Sequence, residues 1–229
     1  MILLRISDFG LRIEKGPGRR TGSANLLLTG FFAALLFLPA SAHAERIDHI
    51  VAAVNNDVIT SLDLERAVSI NEALSGPVQD RRRLREETRD GLVNRLLLLQ
   101  ESRRLKLVEV SEQDVRAQVE AFKKRLGSDE VFAAFLSSTR LSSRELEVML
   151  SDRLQVERFI EKKIALYVRI GRDEAQRYFD SHGDQYQGKK FPEVQKQITS
   201  FLTEQELRKQ VEQYLTELRS KASLRINPL

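Results

Sequence analysis

The sequence predicts a mainly α protein with one small β-sheet, formed by an N-terminal hairpin and a C-terminal strand. Three observations lead there. Apolar residues recur at helical spacing through most of 61–220, in runs broken by capping residues and by Gly or Pro. Residues 47–60 (IDHIVAAVNNDVIT) form two β-branched runs split by Asn55-Asn56-Asp57, and Leu224-Arg225-Ile226 alternates like a strand. The composition, 41% hydrophobic and 31% charged, is that of a folded chain rather than a disordered one.

Each element follows from local chemistry. Asn and Asp tolerate positive φ, so Asn55-Asn56-Asp57 suits the turn of a short hairpin. A hairpin of this size needs a third strand or a helix to cover it. Thr60 or Ser61 caps a helix to about Leu74, with Asp63 and Glu65 in its first turn, where the macrodipole favours negative charge. Gly76-Pro77 ends it. A longer helix is expected over 78–105. Its second half carries Leu92, Val93, Leu96, Leu97, Leu98 and Leu99, a stripe too broad for a surface helix, which makes it central.

Residues 107–110 read as an extended link. Ser111 with Asp114 opens the next helix, closed by Gly127. Residues 129–138 form a short helix. Ser142-x-x-Glu145 is a capping box, and its helix runs to about Ile164. Residues 167–170 are expected to be extended, 173–181 a short helix and 182–190 a polar loop. The last helix, 191–220, carries Val194, Ile198, Phe201, Leu202, Leu207, Val211, Leu215 and Leu218. The strand at 224–226 is the natural third partner of the hairpin. It would bring the chain ends together and make 45–229 one domain.

Residues 1–44 read as a cleaved signal peptide. The uncharged run 26–38 (LLLTGFFAALLFL) is too short for a membrane span, which needs about 20 apolar residues. Arg5, Arg12, Lys15, Arg19 and Arg20 precede it as a positive region, and Pro39 follows. Small residues at Ala42 and Ala44 place the cut between Ala44 and Glu45. The expected fate is export, with no stable membrane span after cleavage. The whole chain has 37 basic and 33 acidic residues, net charge +4. The leader takes five basic and two acidic residues, which leaves the mature protein near +1. The basic balance is thus a mark of export rather than of nucleic-acid binding.

The chain has no Cys, which excludes disulfides, thiolate metal sites and Cys nucleophiles. Only His49 and His182 lie beyond the leader, and no HExxH, GxSxG or phosphate-loop motif occurs. His182, beside Asp180 and Asp184, reads as a solvated loop residue. Arg81-Arg82-Arg83 is answered by Glu86 and Glu87 at i+4, so an exposed helix face explains it. No catalytic residue, cofactor, metal or nucleic-acid site is expected. The apolar group Phe132, Phe135, Leu136, Leu141 and Met149 has two readings. One is core; the other is a groove for extended or unfolded chains, where Phe and Met surfaces adapt to varied sequences.

The order of segments resembles one family. Residues 51–61 (VAAVNNDVITS) followed by a helix look like the start of the SurA family of periplasmic chaperones. Residues 92–101 (LVNRLLLLQE) and 108–111 (VEVS) are similar to that family's next segment. Residues 173–186 (DEAQRYFDSHGDQY) resemble the stretch before its parvulin prolyl isomerase module. Phe191-Pro192-Glu193-Val194, Ile198 and Leu218-Arg219-Ser220-Lys221-Ala222 resemble the segment after that module. Between Tyr186 and Phe191 there is no room for a domain. The resemblance therefore implies a SurA-type helical chaperone body, 45–187 plus 191–229, without the isomerase.

It also implies an ATP-independent holdase with no enzymatic activity. Its partners would be unfolded polypeptides, above all outer-membrane proteins, held on Phe132, Phe135, Leu136, Leu141 and Met149. Two alternatives stay open: a divergent peptidyl-prolyl isomerase, and an accessory protein binding one folded envelope partner. Self-association is also left open.

Overall fold

The computed structural model describes residues 48–76, 78–186 and 188–229. The expected leader 1–44 with its Ala44/Glu45 cut, and Pro77, lie outside them. Among the described residues are seven α-helices and one three-stranded sheet. The mainly α class with a small sheet is what the sequence predicts.

Strands β1 (Ile50–Val54) and β2 (Asp57–Thr60) form the hairpin. Its turn is Asn55-Asn56; Asp57 already belongs to β2 and pairs with Val54. Asn55 takes the left-handed φ of 55°, which an Asn tolerates better than most residues. Strand β3 (Leu224–Ile226) pairs antiparallel with β1, Ala52 opposite Ile226, so the order is β2-β1-β3. Asn227 Nδ2 donates to Ile50 O at 2.7 Å and Asn55 N to Ser223 O at 2.8 Å, which fastens the segment around β3 to the hairpin.

Helix α1 (Ser61–Ser75) leaves β2 without a linker because Thr60 closes a capping box with Asp63. Helix α2 spans Arg81–Leu105 rather than starting at Val78. Asp80 is its N-cap, its side chain accepting from Arg83 N at 2.9 Å, and the residues before it are not helical. Helices α3 (Glu112–Leu126), α4 (Asp129–Thr139) and α5 (Ser143–Lys163) follow, opened by Ser111, Ser128 and Ser142. Residues Ala165–Tyr167, expected in part to be extended, make a 3₁₀ turn. After α6 (Arg172–Ser181), a second 3₁₀ turn, Gly183–Tyr186, occupies part of the expected polar loop. Helix α7 then runs Phe191–Lys221 with Pro192 in its first turn, where a missing N–H costs nothing.

Helix α2 is central, as its broad stripe predicts. Its Val93 and Leu97 pack with Val51, Val54, Leu64 and Val68 beneath the sheet. Its Leu98 and Leu99 pack with Phe159, Ile160, Leu207 and Val211 of α5 and α7. Between α1 and α2 two buried polar side chains bond to each other, Asn71 Nδ2 donating to Thr88 Oγ1 at 3.1 Å. Helix α7 serves two cores. Val194 and Ile198 pack on Ala175 of α6, while Leu207, Val211 and Leu215 join the main core. Phe201, expected in the stripe, falls between the two and is 41% exposed.

The arginine run behaves as the spacing indicates. Arg82 meets Glu86 and Arg83 meets Glu87, while Arg81 reaches Glu65 and Glu72 on α1. No helix among the described residues is long and apolar enough to cross a membrane.

Candidate functional site

The residues singled out in the sequence come together on α4 and α5. Ser128 caps α4 by accepting from Val131 N, and Arg140 ends the helix in the left-handed conformation. Leu141 N then donates to Leu136 O at 3.0 Å, folding the connection back before the Ser142 capping box starts α5. The result is one apolar cluster. Phe135, Phe122, Ile70, Leu146 and Leu150 are buried, and Phe132, Leu136, Leu141 and Met149 are half-buried around them.

The aromatic rings are held edge to face, Phe122 to Phe135 at 5.1 Å and Phe122 to Phe132 at 6.4 Å. Cations cover their outer faces. Lys123 Nζ lies 5.2 Å from the Phe132 ring centre and the Arg125 guanidinium 5.0 Å from that of Phe122. Burial, then the neighbouring Arg153, pushes the Arg125 pKa down. Phe135 is core, while the other four form a half-buried rim around it. Val131 and Val148, beside that rim, are about half exposed.

Helix α5 is a ridge between two clefts. On one side, residues at helical spacing (Leu141, Glu145, Val148, Met149, Asp152) face β2, α1 and α2 across a cleft of about 440 Å³. On the other, Leu150, Leu154 and Arg158 face Phe122 of α3 across a cleft of about 670 Å³ that reaches Leu166 and Leu207. The apolar cluster forms part of both walls. Leu166, at the far end of the larger cleft, and its neighbour Tyr167 are 62% and 75% exposed.

Ion pairs fix the walls. Arg66 Nη1 of α1 meets Glu145 Oε1 of α5 at 3.1 Å, and Arg103 of α2 meets Asp152 of α5 at 2.9 Å. Arg158 makes a fork to both oxygens of Asp114, at 2.6 and 2.9 Å, and tethers the start of α3 to α5. The Arg158 guanidinium, with help from Ser111, holds the Asp114 carboxyl well below the usual carboxylate range.

Sequence reasoning missed part of this surface. Leu92, Leu96 and Arg95 of α2 line the smaller cleft, whereas the leucine stripe by itself points to core. A signal is present: an arginine interrupts the leucine run at position 95.

His182 is no acid/base candidate in this setting. Its Nδ1 lies 2.9 Å from Tyr178 O and from Ser181 Oγ, and its ring stacks on Tyr178 at 4.0 Å, which finishes α6. His49 is exposed before β1. Among the described residues no group of three or more His, Asp or Glu is placed to hold a metal ion.

Comparison with known proteins agrees with the fold. The family model of the SurA-like N-terminal domain matches residues 20–160, more than half of the chain. Among solved structures, the chain is similar to one described with two structurally related SurA-like chaperones of Campylobacter jejuni, the virulence factor PEB4 and the periplasmic protein Cj1289. The TM-score is 0.53 at 12% identity, over 79% of this chain and 99% of that one, a likeness of fold. No curated protein sequence matches.

Proposed function

The chain belongs to the family of the SurA-like N-terminal domain, and from that premise we propose that it is a periplasmic, ATP-independent holdase. Its clients would be unfolded polypeptides, outer-membrane proteins among them. The proposed body is 45–229, one domain without a parvulin module between Tyr186 and Phe191, exported by cleavage after Ala44. The observation that carries the reading is the half-buried rim Phe132, Leu136, Leu141 and Met149, anchored by Phe135, which continues through Leu141 and Met149 into the smaller of the two clefts beside α5.

Such a surface holds a chain without chemistry. Burying apolar side chains of a client gains about 25 cal/mol per Å², and contacts through Met and Phe are tolerant of client sequence. Strands of outer-membrane barrels, with apolar residues at alternate positions, offer such side chains in extended segments. The proposed role is non-enzymatic: the client leaves as it arrived.

The test is light scattering of an unfolded outer-membrane porin diluted from denaturant. Stoichiometric protein is expected to slow aggregation, and crosslinks to the bound porin to map to α4 and α5. Unchanged aggregation would sink the proposal. Isomerisation of a proline peptide well above background would replace it with an enzymatic reading. N-terminal sequencing of the exported protein should begin at Glu45.

A further inference from the structure

We propose that the cleft between β2, α1, α2 and α5 binds an extended apolar segment carrying one acidic side chain, whose carboxylate sits on Arg95. This rests on the chaperone reading above and gives the smaller cleft its own ligand chemistry.

Six charged side chains line this cleft: Asp63, Arg66, Arg95, Arg144, Glu145 and Asp152. Five are engaged. Asp63 accepts from Thr60 N and Oγ1 at 3.0 and 2.9 Å. Arg66 pairs with Glu145, Arg144 with Glu147 and Asp152 with Arg103. Arg95 has no hydrogen bond or ion pair to any described residue, although Asp152 and Asp63 are near enough for their charge to be felt. Its side chain is half-buried, and burial pushes its pKa down. A guanidinium stays protonated regardless, so the cleft presents a cation that feels Asp152 and Asp63 but has no hydrogen-bonded carboxylate of its own. A carboxylate satisfies it through two parallel N–H···O bonds, in a setting drier than bulk water where such bonds are strong.

The rest of the lining decides what carries that carboxylate. Leu92, Leu96, Ala67, Val148 and Met149 are apolar and ask for apolar neighbours. The lining of the cleft extends from Leu141 and Met149 of the rim to Val58 and Ile59 of β2, an edge strand of the sheet. An extended polypeptide can pass over Arg95 and continue both ways. A chain terminus or a fatty acid would use one direction only. About 440 Å³ lies within the range of ligand clefts, about 300–1,000 Å³.

The test uses the full exported protein and fluorescent peptides of alternating Leu and Ser that differ only in a central Asp or Asn. Anisotropy at neutral pH reads the ratio of their affinities. The wild type should prefer the Asp peptide about tenfold, the scale of a charge-assisted pair. The ratio should fall to about one in Arg95→Gln and persist, weakened, in Arg95→Lys. Arg169→Gln, the same charge change at an exposed site outside the cleft, should leave it intact.

Should Arg95→Gln misfold by circular dichroism, photo-crosslinking decides. A diazirine beside the Asp should label Leu96, Val148 or Met149 in the wild type, and labelling elsewhere overturns the site. Equal affinities in the wild type, or a preference that survives Arg95→Gln, overturn it too. So does a preference for a free C-terminus over an amide that ignores the central residue, or occupancy by dodecanoate without either peptide. If porin aggregation is still suppressed in those cases, the Arg95 assignment fails alone. If it is not, the chaperone reading fails with it.

Discussion

Asp114 joins two elements, α3 and α5, through one carboxylate. It closes the capping box with Ser111, so it starts α3, and it receives the Arg158 fork from α5. Arg158 also donates to Glu109 O, which pins the link between α2 and α3. The Asp114 pKa is depressed, chiefly by Arg158. A depressed folded-state pKa contributes stability that is fully present above the unfolded value, about 3.9, and is lost as pH falls through the folded one. Asp114→Asn is therefore expected to lower the urea midpoint at pH 7, and the gap to wild type should narrow as the solution is acidified below about pH 4. A gap independent of pH would mean that shape, not charge, is what Asp114 supplies. Exposed pairs such as Arg82–Glu86 should do little, about 0–1 kcal/mol each.

Helix α5 divides its residues by face. Phe159 and Ile160 turn into the main core and are fully buried, while Met149 and Val148 stand at the rim. Phe159→Ala should cost about 3–5 kcal/mol, because the cavity it leaves lies between α2, α5 and α7. Met149→Ser should move the denaturation midpoint far less yet weaken the hold on an unfolded porin in the aggregation assay. Equal losses of stability in the two variants would place Met149 in the core. The start of α5 is legible in the sequence because a capping box is local: Ser142 and Glu145 satisfy each other's backbone within one turn. The start of α2 is misplaced by the sequence pattern for a related reason. Asp80 is a capping residue, but the helical apolar pattern extends back past it to Val78. The role of Leu92, Arg95 and Leu96 is not legible. Whether a leucine on a broad stripe meets core or an open cleft depends on how α1 and α5 converge above it, which no local pattern encodes.

At the scale of the molecule, β1 and β3, about 170 residues apart in sequence, meet in one sheet. Alternation at 224–226 and the hairpin's need for a partner anticipate this, since a two-stranded ribbon alone is marginal in water. A chain ending at Ser223 is expected to lose protection from amide exchange first at Val51, Ala52 and Val54, the buried residues of β1, and to melt earlier than wild type. The proposed single domain should unfold in one urea transition by fluorescence and by circular dichroism alike, whereas two separated transitions would divide it. The sheet also sets a timetable. Asn227 bonds to Ile50 across 177 residues of sequence, so the partner strand of β1 leaves a ribosome long after the hairpin. Helices α1–α5 can form as they emerge, because the hydrogen bonds within a helix are local, but closing so long a loop is slow and must wait for β3. The sheet therefore acts as a clasp that latches only once residues 224–227 have been delivered, and a chain stalled before them leaves its hairpin unlatched.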